Sequence, residues 1–582
     1  MFVPVSAAFG SWRRKYLELG AMWAWRRHLG NVLRVTFAAI IVMAALPQAF
    51  ASDLRGLIES RIEAGLAGNG DVPWSLDDGE RGTALSRFYA GRDHAPLWVG
   101  KDGALPKSRT LLSVLRNAET DGLRSQAYAP DRIARLIDTR ASRELARLEL
   151  LLSRTLLIYA SDLRHGRLRP EMVAPDLAAQ PPSQDVARIL RGAANADDLA
   201  GYLKDLAPAN PGYHRLRRAL STYRSIAAAG GWPRVSDGRW LESGMSGPEV
   251  GTLRRHLQAS GDLTIVSSEP EFFGPALKQA VERYQARHGL NPDGVVGPRT
   301  RAQLEIPVET RVRQIEINME RWRWMPDNLG ERYVLVNLAG FEVELVESGA
   351  TTLYMRAVVG RPYRKTPVFS DRITYVELNP TWTVPPTIMR KDVLPKIRQD
   401  VGYLAENEMQ VYAGWSAEAP RVDPTQVDWA ALDPRRIPYR FVQAPGPKNP
   451  LGQVKFMFPN RFHVYLHDTP QRELFLQAQR TFSSGCIRVD KPMELLDHLL
   501  AGQAGWDRAR VQAVLRSGKT TRVPLKHSLP IHLIYATAWI GEGGTIHFRD
   551  DVYGRDELVD QALSALELSQ TSVRETASQS TE

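Results

Sequence analysis

The pattern of apolar and polar positions changes character partway along the chain. Up to about residue 235 the period is helical. Leu148, Leu150, Leu151, Leu152, Leu156, Leu157 and Ile158 form a strongly apolar helix that runs into Asp162-Leu163-Arg164-His165-Gly166. A second helix is expected from about Tyr213 to Ala229, ended by Gly230-Gly231 with Pro233 beyond. Residues 240–304 read as a separate small helical module. Ser246 and Glu249 have capping-box spacing, with the serine as N-cap. Val250, Leu253 and Leu257 then share one helical face, and Leu277, Ala280, Val281 and Tyr284 share another before a stop at Gly289. Asp293-Gly294 makes a turn, and Pro298 can open a third short helix.

From about Arg332 the period shortens to two. Residues 333–338 and 355–359 are short β-branched runs, and Gly360 closes the second. Arg461 to His467 alternates: Phe462, Val464 and Leu466 point one way, Arg461, His463, Tyr465 and His467 the other. The proline-rich stretch between Pro385 and Pro450, with Trp415 and Trp429, is too long for a structureless loop. It reads as an inserted subdomain over about 386–450. The acidic, Ser/Thr-rich end, 566–582, reads as a disordered tail.

A chain of 582 residues calls for two to four domains. Its net charge of +10 is partly local. Arg13, Arg14, Lys15, Arg26, Arg27 and Arg34 face only Glu18 in residues 1–51. With no concentrated basic stripe or nucleic-acid motif elsewhere, nucleic acid is not an expected partner. The basic start precedes an apolar run, Val35 to Leu46, and then Ala49-Phe50-Ala51. That order is a secretory signal. The run is short for a membrane span. Residues 1–51 are therefore expected to be a signal peptide, or an uncleaved anchor that keeps residues 35–46 near a membrane. The expected location is the periplasm or cell envelope.

Export makes the single cysteine informative. Cys486 has no partner for an internal disulfide, and a lone thiol outside the cytoplasm risks oxidation. It lies in Ser483-Ser484-Gly485-Cys486-Ile487-Arg488. A thiol attacks as its thiolate, so it needs a nearby base or positive charge. Gly485 permits close backbone approach, the amides of a tight turn here can hold an oxyanion, and Arg488 adds positive potential. The base should be a histidine. His467 closes the alternating run and can look into a cleft. His463 lies on the same face and competes, while His532 and His547 each sit inside another strand-like run. Weaker motifs fail: Ser517-Gly518-Lys519-Thr520 lacks the first glycine of a P-loop, Gly244–Pro248 lacks the last glycine of a nucleophile elbow, and no His-Glu-x-x-His occurs. No metal or cofactor is called for.

Two resemblances add to this reading. Gly289-Leu-Asn-Pro-Asp-Gly-Val-Val-Gly-Pro-Arg-Thr300 resembles the peptidoglycan-binding domain family of three short helices. His467-Asp468-Thr469, with Ser483 to Arg488 nineteen residues from histidine to cysteine, resembles the L,D-transpeptidase catalytic domain, the YkuD family. Residues 320–326, 379–385, Phe88-Tyr89 with Pro96-Leu97-Trp98, 529–539 and 546–554 resemble its large multidomain subgroup. The implied fold is α+β and multidomain. It comprises a helical scaffold over 52–235, the peptidoglycan-binding-like module over 240–304, and a β-sandwich-like catalytic domain over 332–550 carrying the inserted cap.

The resemblance implies Cys486 as nucleophile, His467 as base and the backbone carbonyl of Asp468 as the group that orients the ring. Gly485, Ser484, Ser483, Arg488, Tyr465 and Trp382 are the expected oxyanion and substrate positions. Two departures stand out: Asp468 replaces the commoner glycine, and Ser484 stands where many members have a second histidine. The implied reaction joins a donor and an acceptor peptidoglycan tetrapeptide stem in a 3→3 cross-link, in cell-wall biogenesis. Carbapenem-type β-lactams are the implied inhibitors. An L,D-carboxypeptidase and a catalytically silent wall-binding protein are the alternatives. The cap can exclude water from a thioester, or simply pack.

Overall fold

The computed structural model describes residues 52–66, 79–181, 185–235, 238 and 240–579. The expected signal, the apolar run 35–46 and residues 580–582 of the expected tail lie outside the described residues. Among the described residues no helix is long and apolar enough to cross a membrane.

The chain divides into two compact units. The first draws on residues up to Asn117, Tyr128–Ala160 and Asp185–Lys204. Its apolar helical run carries one carboxylate, Glu149, at the buried face. Glu149 accepts the backbone N–H groups of Leu97 (2.6 Å), Trp98 (2.8 Å) and Val99 (3.1 Å), and the Tyr89 hydroxyl (2.5 Å). Burial raises its pKa, and these donors oppose the shift.

The second unit holds the remaining helices and the sheets. Three helices, Pro248–Ala259, Pro275–Arg287 and Pro298–Leu304, pack the expected face residues into one core with Phe273, Val296 and Leu304. The capping box does not form. Gly247, which has no side chain to offer, is the N-cap, and Pro248 opens the helix at N1, where its fixed φ suits the helix. Ser246 instead bridges to Phe272.

The large sheet is built from β1 (Arg332–Asn337), β2 (Glu342–Glu347), β3 (Ala350–Gly360), β4 (Phe369–Leu378), β5 (Val454–Met457), β6 (Leu466–His467), β7 (Thr481–Ser483), β8 (Ile487–Val489) and β9 (Thr521–Ile534). Neighbours run β3-β8-β6-β5-β4-β9-β1-β2, and β2 pairs back onto β3. The sheet therefore closes on itself. Its inner face, including Val336, Val343, Met355, Val376, Phe456, Leu466, Ile487 and Ile531, forms the core. β7 adds to the end of β3 in parallel.

The alternation from Arg461 to His467 is not a strand along its length. Only Leu466–His467 pair as one, and His463 is exposed with φ +55°. Asn460 explains the difference: its side chain takes the N–H groups of Phe462 and Val464 and donates to the Val464 carbonyl, closing a local turn.

The insertion has its own four-stranded sheet, ordered Trp382–Thr383, Tyr439–Gln443, Met409–Ala413, Arg421–Val422. Val384, Met389, Val393, Leu394, Ile397, Leu404, Val411, Trp429 and Phe441 give it a core distinct from that of the large sheet. It leaves after β4 and returns before β5, two antiparallel neighbours, and β5 in turn pairs with β6.

The stretch expected as a tail is mostly helical: one helix spans Arg555–Gln579. Asp551 caps it by accepting the N–H groups of Arg555 and Asp556. Val559 and Leu563 bury against the large core, and Glu567 pairs with Arg167 at 2.9 Å. Composition alone misses these anchors.

Candidate active site

Sheet register brings the candidate residues together. His467 of β6 lies opposite Arg488 of the parallel strand β8 and opposite Lys455 of the antiparallel strand β5. Lys455 lies opposite Glu377 of β4, and Glu377 opposite Arg522 of β9. Directly paired residues share a face. Arg488, His467, Lys455, Glu377 and Arg522 thus form one row on the outer face. The adjacent row, Ile487, Leu466, Phe456, Val376 and Val523, is fully buried in the core.

Cys486 immediately precedes β8, and Tyr465 immediately precedes β6. The Ile487 N–H donates to the Tyr465 carbonyl at 3.1 Å, which carries the register back by one residue. Tyr465 meets the thiol through its hydroxyl and its backbone amide. Lys455 Nζ stands 4.2 Å from the Tyr465 ring centroid and 3.4 Å from Glu377 Oε2. Cys486, Tyr465, His467, Arg488 and Lys455 are therefore grouped on one face.

A tight turn presents the cysteine. Ser483 Oγ takes the Gly485 N–H at 3.1 Å and donates to the Cys486 carbonyl at 2.5 Å. Gly485 has φ +121°, a conformation that favours glycine. Thr366 Oγ1 donates to the Gly485 carbonyl at 2.9 Å, and the Arg361 N–H donates to the Ser483 carbonyl at 3.0 Å. Both supports come from the loop after β3.

His467 is 4% exposed and Asp468 5%. His467 Nδ1 lies 2.5 Å from the Asp468 carbonyl. A carbonyl can only accept, so Nδ1 carries the proton and Nε2 holds the free lone pair. The Asp468 side chain has a separate task. Its Oδ1 takes the Thr469 N–H at 2.7 Å and pairs with Arg472 at 2.6 Å. Its Oδ2 takes the Gln453 N–H at 2.8 Å, where the insertion returns to the sheet.

Burial sets the protonation states. It lowers the His467 pKa to about 3; the positive charge of Arg488 adds to the shift, and the Asp468 and Pro450 carbonyls oppose it. Burial also raises the Cys486 thiol, against the Tyr465 hydrogen bonds and the charges of Lys455 and Arg488. At neutral pH the sulfur is a thiol and the imidazole is neutral.

The other histidines are separated from this group. His532 is fixed by Ser370 Oγ at 2.8 Å and the Leu329 carbonyl at 3.0 Å. His547 stacks on Trp539 with centroids 5.2 Å apart. Trp382 packs against the core of the insertion. Ser484 Oγ accepts from Arg364 at 2.7 Å. Lys455, Glu377, Thr366, Arg364 and Arg472 were not singled out from the sequence. Lys455 carried one signal, a charge within the apolar run Val454-Lys-Phe-Met457. The others depend on pairings between distant segments.

Three stretches match known domain models. Residues 83–220 match "Scaffold domain", residues 246–304 "Putative peptidoglycan binding domain", and residues 331–514 "L,D-transpeptidase catalytic domain". A Haemophilus influenzae protein named "Putative L,D-transpeptidase" is 36% identical over 249 residues, covering 43% of this chain and 49% of that protein. The match thus spans about half the length of that relative. Among solved structures, an L,D-transpeptidase from Xylanimonas cellulosilytica aligns over 51% of this chain and 99% of its own, at 16% identity and a TM-score of 0.18. An L,D-transpeptidase from Mycobacterium smegmatis aligns over 35% and 58%, at 12% identity and a TM-score of 0.18.

Proposed function

Because the chain carries an L,D-transpeptidase catalytic domain over residues 331–514, after scaffold and peptidoglycan-binding-type domains, we propose that it forms 3→3 cross-links between peptidoglycan stems through a thioester on Cys486. The observation that carries this reading is the shared outer face of Cys486, Tyr465 and His467, with His467 Nδ1 held by the Asp468 carbonyl.

In the proposed reaction Nε2 of His467 takes the thiol proton as sulfur attacks the carbonyl of the third residue of a donor tetrapeptide. The N–H of Cys486 itself, between the Gly485 amide bound to Ser483 and the Ile487 amide bound to Tyr465, holds the oxyanion. Collapse expels the terminal D-alanine, whose amine takes the proton back from the imidazolium. The side-chain amine of an acceptor stem then attacks the thioester, loses its proton through His467 and releases Cys486 as the thiol.

The cap, with its own core, suits the exclusion of water that would turn transfer into hydrolysis. Such an enzyme works outside the cytoplasm, consistent with the export signal read in residues 1–51, and carbapenems are its expected acylating inhibitors.

Purified protein incubated with a disaccharide tetrapeptide should give cross-linked dimer and free D-alanine, resolved by mass spectrometry. Tripeptide alone would mark a carboxypeptidase instead. Cys486→Ala retaining cross-linking activity would overturn the proposal.

A further inference from the structure

The loop after β3 does more than close a turn. Gly360 begins it, and a Cβ there would sit 2.1 Å from the Arg364 carbonyl, so the loop packs directly on the strand end. Thr366 Oγ1 takes the Gly360 N–H at 3.0 Å, and the Arg364 N–H donates to the Arg361 carbonyl at 2.8 Å. This frame projects the Arg364 side chain, 7% exposed, between two parts of the protein. One nitrogen, NH1, donates to Ser484 Oγ at 2.7 Å and also to the Asp392 carboxylate. Ser484 is two residues from Cys486. Asp392 lies in the cap.

The segment that carries Asp392 is irregular in a telling way. Residues 389–393 form a π-helical turn between the short helices Pro386–Ile388 and Leu394–Gln399. Such turns insert an extra residue and redirect a side chain, often where function requires it. Met389 and Val393 of the same turn are buried in the cap core, so the position of Asp392 reports the position of the cap. Arg364 Nε is buried without an acceptor among the described residues, so Asp392 is the counter-ion this cation depends on.

We propose that Arg364 is a positioning residue for acyl transfer, coupling the seating of the cap to the Ser483–Cys486 turn. With the cap seated, Asp392 fixes the guanidinium, the guanidinium fixes Ser484, and the Cys486 amide is held where an oxyanion forms. When the cap lifts, Arg364 loses its counter-ion and the turn loses one of its supports. The site is thereby assembled only around an enclosed stem. This inference rests on the thioester reading above.

Two reactions of Cys486 in the full chain separate positioning from general damage, both followed by intact mass. Acylation by a carbapenem needs the oxyanion amide; alkylation by iodoacetamide, at a tetrahedral carbon, does not. Asp392→Asn and Arg364→Lys should each slow acylation about tenfold. Alkylation should stay within about twofold, even where loss of the buried ion pair lowers the melting temperature. Combining Asp392→Asn with Ser484→Ala should cost less than the two effects multiplied, because both act through one guanidinium. Acylation unchanged in Asp392→Asn and Arg364→Lys would overturn the inference, and so would equal losses in both reactions. Unmodified wild-type protein in carbapenem, with normal alkylation, would instead defeat the thioester reading itself.

Discussion

Gly452 and Asp468 fit each other so closely that a Cβ at 452 would lie 2.3 Å from Asp468 Oδ2. Gly452 also has φ +60°, the left-handed region. Gly452→Ala should therefore cost about 2 kcal/mol or more, from backbone strain together with displacement of a buried carboxylate. A urea titration of the variant checks this. Adding Asp468→Gly to Gly452→Ala should recover part of the loss by removing the clash.

The Asp468 carboxylate and the Asp468 carbonyl do different work. The carboxylate ties Thr469, Gln453 and Arg472 together; the carbonyl holds His467. Asp468→Gly should lower stability by about 1–3 kcal/mol through the lost buried acceptor. It should reduce Cys486 acylation far less than His467→Ala does, since the carbonyl remains. Thermal melts and acylation rates of both variants test the division.

The acid limb of activity should be displaced. An ordinary imidazole would begin to protonate near pH 6.5, silencing a base. Burial and Arg488 hold His467 down to about 3, so the neutral base persists and acylation should continue at pH 5. A pH–rate profile falling with a midpoint near 6.5 would contradict this assignment.

The thiol should titrate above the ordinary cysteine range, because burial penalises the thiolate more than its partners help it. Tyr465→Phe and Lys455→Met each remove a group that stabilises the thiolate, so each should push the thiol further up. Alkylation at pH 8 should slow in both. Thiolate absorbance followed against pH gives the direct comparison.

Buried neutral histidines also tie stability to pH. His467 is lowered to about 3 and His256 to about 4, chiefly by burial. The unfolded chain, with ordinary imidazoles, binds their protons first as pH falls. The stabilisation is present above about pH 6.5 and is lost progressively as pH falls towards about 4 for His256 and about 3 for His467. Urea midpoints measured at pH 7, 6 and 5 should decline, and replacing His256 by Gln should flatten the trend.

The candidate residues stood out in the sequence more clearly than their supports. Cys486 and His467 were legible because their residue types are rare and their local motifs specific. The helices of the 240–304 module were legible because proline, glycine and a 3.6-residue period act locally. The strand expected over 461–467 failed because Asn460 offers backbone partners that a period-two pattern does not register. Ser246 failed as a cap because Pro248 opens the helix, which puts Gly247 at the N-cap and leaves Ser246 one residue outside it. Lys455, Glu377 and Arg364 were hidden for another reason. Each reaches the site through a pairing across the fold, and such pairings leave no spacing to read.

The closed sheet has a consequence for how the chain must be made. β9 ends at Ile534, yet it sits between β4 and β1, and β1 begins at Arg332. As the polypeptide emerges from a ribosome or a membrane pore, the first strand of the ring waits for the last. Until residue 534 is out, β1 and β4 each expose an unpaired edge, an invitation to neighbouring chains. Release truncated before that point should aggregate rather than yield a smaller working enzyme. With a single cysteine in the chain, the final closure needs no disulfide exchange.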